Sequence, residues 1–158
     1  MISEGESAPN AVVKFTSKSE SGESFNLEDA YEGGTTILYF YPASFSEVCT
    51  DTNCELNEST AKFSKFDANV MAISTDLHFT HEQFIRVYDI DFPILSDYNR
   101  EAINAFGVVD DNYLDYYNSV AKRSVFVIKG GIVKWSWSSD DPYEYPPFDK
   151  LEEVLAEL

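Results

Sequence analysis

The run Thr35 to Tyr41 (Thr-Thr-Ile-Leu-Tyr-Phe-Tyr) is an unbroken stretch of apolar, β-branched and aromatic residues that ends at Pro42. This is the composition of a strand buried on both faces, which requires a layer on each side of its sheet. From about Ser46 to Phe66 the period turns helical. Leu56, Phe63 and Phe66 fall on one side, and Glu58 and Lys62 form an i,i+4 pair on the other. A first strand is expected at Ala11 to Phe15, a turn at Ser21-Gly22 and another at Glu32-Gly33-Gly34. A strand follows at Asn69 to Ser74, then a helix at Thr80 to Tyr88 with Thr80 as its cap. A short extended piece at Phe92 to Leu95 precedes a helix near Arg100 to Phe106, which stops at Gly107. Ser124 to Ile128 and Ile132 to Trp137 flank Lys129-Gly130-Gly131 as a hairpin. The tail helix begins near Phe148, with Leu151, Leu155 and Leu158 at core spacing. Strands alternating with helices indicate an α/β fold, a central mixed sheet flanked by helices, in one domain over residues 1–158.

The chain carries 11 basic and 28 acidic residues, a formal charge of −17. That speaks against nucleic acid and against an anionic membrane surface, both of which call for cationic patches. A neutral substrate is indifferent to such a field, whereas an anionic one is repelled. No stretch reaches the roughly 20 apolar residues of a membrane span. Met1 to Asn10 lacks the basic and apolar blocks of a secretory signal, so a cytoplasmic protein is expected.

The two cysteines are Cys49 and Cys54. A chain of this size in a reducing compartment needs no disulfide to fold, so redox or metal chemistry is the better reading of so close a pair. His78 and His81 lie well downstream, and C-x4-C with a distant H-x2-H makes a poor zinc pattern. The histidines are expected at the start of a surface helix, without a role. If Ser46 caps the helix, Cys49 occupies its first turn. There unpaired amides and the positive end of the helix dipole favour a thiolate, the nucleophilic form. Ser46 can hydrogen-bond the sulfur or a substrate oxygen, Pro42 can shield one side, and Glu47 is expected to point outward. Cys54 sits in the same helix, about 8.6 Å away between Cα atoms by ideal geometry. Disulfides rarely bridge more than about 7 Å. Cys54 is therefore either a small packing residue or a partner that reaches Cys49 only after the first turns unwind. Arg123 precedes an apolar strand, where it is either a solvated edge or a guanidinium held beside Cys49.

These residues resemble the peroxiredoxins. The family pattern Pro-x-x-x-Thr/Ser-x-x-Cys is matched by Pro42, Ser46 and Cys49, and the family's active-site Arg by Arg123 in RSVFVIKGGIV. Gly5 to Pro9, ILYFYP, Asn69 to Thr75, Phe92 to Asp97 and Phe106-Gly107-Val108 recur in family order. The C-x4-C spacing is similar to the peroxiredoxin Q (bacterioferritin comigratory protein) group. The chain departs from it in Glu47-Val48, where that group usually has Pro-Gly, and in Thr52, where an acidic or amide residue is common. The resemblance implies a thioredoxin-like fold and a thiol peroxidase acting on hydrogen peroxide and organic hydroperoxides. It also implies a Cys49-Cys54 disulfide reduced by thioredoxin or a similar dithiol protein, no metal, flavin or haem, and a monomer or homodimer. Two other readings remain. A thiol–disulfide oxidoreductase would normally carry C-x-x-C, which is absent. A holdase would use the aromatics of Tyr113 to Tyr117 and Trp135 to Pro147, which read more simply as loop and interface packing.

Overall fold

The computed structural model describes all residues, Met1–Leu158. At its centre is the apolar run, β3 (Thr35–Phe40), with every residue buried. Because alternate side chains of a strand point to opposite faces, β3 feeds two cores. Ile37, Tyr39 and Tyr41 join one cluster with Cys49, Leu56 and Phe63, while Leu38 and Phe40 join another with Ile103, Phe106 and Phe126.

Around β3 the chain builds β1 (Val12–Thr16), β2 (Ser21–Asn26), β4 (Ala68–Ser74), β5 (Ile94–Ser96), β8 (Ser124–Lys129) and β9 (Ile132–Ser138) into a seven-stranded sheet. The order is β2-β1-β5-β4-β3-β8-β9. β3, β4 and β5 are parallel, and the other pairings are antiparallel. The sheet is therefore mixed, as expected. α1 (Glu47–Ser64), α2 (His78–Tyr88) and α4 (Leu151–Ala156) supply Leu56 and Phe63, Phe84 and Ile85, and Leu151 and Leu155 to one core. α3 (Glu101–Phe106) supplies Ala102, Ile103 and Phe106 to the other. β6 (Val109–Asp110) and β7 (Val120–Ala121) form a separate small ladder. In the β8–β9 hairpin Lys129 pairs with Ile132, and Gly130 and Gly131 take φ of 60° and 74°. That double positive φ is what a two-residue turn of this hand needs from glycine.

Several expectations are corrected. Ser21-Gly22 opens the edge strand β2 rather than a turn; its face is mostly polar because it meets water, and Phe25 alone packs inward on Phe15. Thr80 is not a cap, since α2 starts at His78 with Leu77 in the capping position. α1 ends at Ser64, which leaves Phe66 exposed, and α4 ends at Ala156, which leaves Leu158 exposed. No helix is long and apolar enough to cross a membrane.

Candidate active site

β3 delivers the chain to Pro42, which is buried, and the turn to α1 follows at once. This turn is tightly held. Ser44 N–H donates to the Asp76 carboxylate at 2.8 Å, and the Tyr41 and Ser44 hydroxyls are 2.8 Å apart. Phe45 takes a left-handed φ of 71°, unusual for a residue with a Cβ. Its ring is braced edge-on against Phe84 at 5.3 Å. Ser46 occupies the capping position in extended conformation, so Cys49 lies in the first turn of α1, with no exposed surface. The Ser46 hydroxyl does not cap a backbone amide. It donates to the Ala43 carbonyl at 2.8 Å, closing the turn, so its proton is committed away from the sulfur. Glu47 is exposed, as expected.

Arg123, one residue before β8, is 2 % exposed, which rules out a solvated edge. Its Nη2 donates to Cys49 Sγ at 3.3 Å and to the Pro142 carbonyl at 3.1 Å. Its Nη1 donates to the Tyr39 hydroxyl at 2.7 Å and lies 3.5 Å from Thr52 Oγ1. Nε is buried without a partner. Burial works against the guanidinium's charge, but Tyr39 and Cys49 outweigh it and raise the Arg123 pKa above the usual value. Burial likewise pushes the Tyr39 hydroxyl well up, so it remains a neutral phenol, with Arg123 opposing the shift. The Cys49 carbonyl is held twice by side chains of its own helix, by Thr52 Oγ1 at 3.1 Å and by Asn53 Nδ2 at 2.8 Å. Tyr113, 6 % exposed, completes the surroundings. Its hydroxyl is pushed up by burial and by Cys49, with Ser46 and Arg123 opposing.

Of the residues singled out in the sequence, Cys49, Ser46, Pro42 and Arg123 are thus gathered at one end of β3. Cys54 is not beside Cys49. Both are free thiols on the intact α1, and Cys54 is half-buried. Burial, then Asp51 and Glu58, push the Cys54 pKa above that of an ordinary thiol. The sequence alone assigns none of Tyr39, Thr52, Tyr113 and Pro142 a place at this site: Thr52 enters there only as a departure from the peroxiredoxin Q pattern, and Tyr113 and Pro142 only within the aromatic segments of the holdase reading. No group of three or more His, Cys, Asp or Glu side chains is assembled as metal ligands.

His81 is the other correction. It is fully buried rather than on a surface helix, with Nε2 2.7 Å from Ser74 Oγ. Ser74 Oγ donates in turn to Asp76 at 2.7 Å. A hydroxyl has one proton to give, so His81 carries a proton on Nε2 and donates it to Ser74. Burial pushes its pKa down to about 4, against the pull of Asp76.

A first-turn cysteine at the end of a buried parallel strand, with a buried arginine on its sulfur, defines a thiol-based oxidoreductase site on a thioredoxin-like sheet. The AhpC/TSA family model matches residues 5–136, and the chain belongs to that family, the peroxiredoxins. It is 30% identical over 158 residues to the chloroplastic peroxiredoxin Q of Oryza sativa subsp. japonica, covering 99% of this chain and 67% of that one. A similar match to the chloroplastic peroxiredoxin Q of Triticum aestivum covers 98% and 65%, at 30% identity. Among solved structures, the peroxidoxin BcpB of Mycobacterium tuberculosis superposes with a TM-score of 0.84 at 26% identity, over 100% of this chain and 99% of that one. The AhpC of Enterococcus faecalis shares the fold at a TM-score of 0.84 and 23% identity, over 98% and 91%. The protein is a thiol peroxidase.

Proposed function

We propose that Cys49 is the peroxide-attacking residue, that hydrogen peroxide and organic hydroperoxides are its substrates, and that Cys54 closes the cycle as a disulfide reduced by thioredoxin or a similar dithiol protein. The observation that carries this reading is the 3.3 Å hydrogen bond from Arg123 to a fully buried Cys49 at the N-terminus of α1. The sulfur donates an electron pair to the terminal peroxide oxygen. An S–O bond forms as the O–O bond breaks, and the departing hydroxide or alkoxide takes up a proton to leave as water or alcohol. The sulfur is oxidised by two electrons and the peroxide reduced by two. Charge developing on the oxygens is met by the guanidinium, whose Nε–H is the donor still free. Preorganised donors of this kind are worth about 3–4 kcal/mol of barrier each where one has been deleted in other enzymes.

In the folded helix Cys54 is both out of reach and held as a thiol. Unwinding the first turns of α1 removes both obstacles. Cys54, deprotonated, then attacks the Cys49 sulfenic acid, hydroxide leaves to become water, and a disulfide forms. A dithiol protein reduces it by thiol–disulfide exchange and is itself oxidised. Peroxide consumption coupled to thioredoxin and its reductase tests the assignment. Cys49→Ser is expected to abolish consumption. Cys54→Ser is expected to keep one turnover and lose thioredoxin-supported cycling. Undiminished cycling by Cys54→Ser would remove the second cysteine from the mechanism, and turnover by Cys49→Ser would remove the first.

A further inference from the structure

Three hydrogen bonds around Cys49 share one direction when both hydroxyl protons are satisfied. An arginine can only donate and a carbonyl can only accept. Arg123 Nη1 donates to Tyr39 Oη at 2.7 Å, so the Tyr39 proton is free to go to Thr52 Oγ1 at 2.7 Å. Thr52 Oγ1 in turn donates to the Cys49 carbonyl at 3.1 Å. The guanidinium's other nitrogen donates to the sulfur of the same cysteine. The four residues close a ring that begins and ends on Cys49, and this assignment gives each hydroxyl proton an acceptor. All four side chains are buried, Tyr39 and Thr52 with no exposed surface. No carboxylate lies within ion-pair distance of Arg123. A buried guanidinium normally takes its orientation from a paired acid; here that task falls to neutral groups.

We propose that Tyr39 is a positioning residue for the peroxidase reaction: its hydroxyl fixes the plane of the Arg123 guanidinium so that Nη2 meets the Cys49 sulfur, and it locks that arrangement to the first turn of α1 through Thr52. The inference rests on Cys49 being the reacting cysteine. The Tyr39 hydroxyl bonds Arg123 and Thr52 and makes no hydrogen bond to the sulfur. It acts through the arginine. Without the phenol oxygen, Nη1 loses its short partner and keeps only the 3.5 Å approach of Thr52. The Thr52 hydroxyl loses its short partner at the same time. Chains of hydrogen bonds polarise one another in a low-dielectric site, so the loss reaches the sulfur. The ring also depends on α1 being wound, because Thr52 and Cys49 belong to its first turns. Unwinding frees the guanidinium from the helix in the same event that frees the cysteine.

The test is Tyr39→Phe, which removes one oxygen and keeps the ring in its core contacts with Tyr41 and Phe148. It is made in a Cys54→Ser background so that one thiol is followed. The first readout is the pH profile of Cys49 alkylation by iodoacetamide, which needs no peroxidase activity. The second is the second-order rate with hydrogen peroxide by stopped-flow, with thermal unfolding as the control for packing. The expected result is an alkylation profile displaced to higher pH and a peroxide rate roughly ten-fold lower, the effect of a hydrogen bond to a charged group worth about 1.4 kcal/mol. If Tyr39→Phe fails to fold, Thr52→Val breaks the next link and is expected to move both readouts the same way. An alkylation profile and peroxide rate equal to the parent's in a folded variant would overturn the proposal. If the profile moves but neither protein reacts with peroxide, the ring stands and the peroxidase assignment of Cys49 falls.

Discussion

Arg123 brings a full charge to a position that is 2 % exposed and meets only dipoles and one sulfur there. Spacing alone left it between surface and site, because 74 residues separate it from Cys49 and only the sheet brings them together. The family resemblance identified it; periodicity could not. Tyr39 was invisible for a different reason: in an apolar run a tyrosine reads as core, and its ring is core. Its hydroxyl has a role that only the neighbouring strand and helix reveal. His81 misled in the opposite way, since a polar residue near a helix start reads as surface. Its burial leads to a sign that can be checked. Its pKa falls from about 6.5 unfolded to about 4 folded, so between those values the unfolded chain binds the extra proton. This group's contribution is fully present above about pH 6.5 and is lost as pH falls towards about 4, by at most about 3 kcal/mol. NMR titration of the His81 ring is expected to give a midpoint near 4; one near 6.5 would mean the ring is solvated.

α1 is the element on which the chemistry turns. Its start at Glu47, with Ser46 capping by position, was legible from the change of hydrophobic period after Pro42, and with it the first-turn placement of Cys49. What the pattern could not give was the use of Ser46, whose hydroxyl closes the turn onto Ala43. Nor could it give the left-handed turn at Phe45, which depends on braces from α2 and Asp76. Strand β2 was missed because an edge strand facing water needs little apolar alternation. An intact helix keeps Cys49 and Cys54 apart, so a disulfide between them must melt the segment between them. Hydrogen exchange of the disulfide form is expected to show lost protection from Thr50 to about Cys54. Protection should persist from Leu56 to Phe63, where Leu56 and Phe63 are anchored in the core. Full protection of Thr50 to Cys54 in oxidised protein would contradict helix unwinding. One tie to that segment is the Tyr145 hydroxyl donating to the Asp51 carboxylate at 2.8 Å.

At the scale of the whole molecule, the α/β class was readable because strand, helix and hairpin signals agreed, while the seven-stranded order, with β2 at its edge, is set by pairings between distant segments that no local signal carries. The charge of −17 plays no part in that order. It acts on what approaches. Screening shortens the reach of such a field to about 10 Å at 0.1 M salt. The rate with neutral hydrogen peroxide is expected to stay flat as ionic strength rises, while that with a hydroperoxide bearing a carboxylate should increase. Equal salt dependence for the two would mean that the charge does not reach the site. The central claim, a two-cysteine peroxidase cycle within one chain, is tested most directly by intact mass and free-thiol count after one equivalent of hydrogen peroxide, on wild type and Cys54→Ser. The account predicts loss of two hydrogens and no free thiol in wild type, and a trappable sulfenic acid on Cys49 in the variant. Two thiols untouched by peroxide in wild type would contradict it.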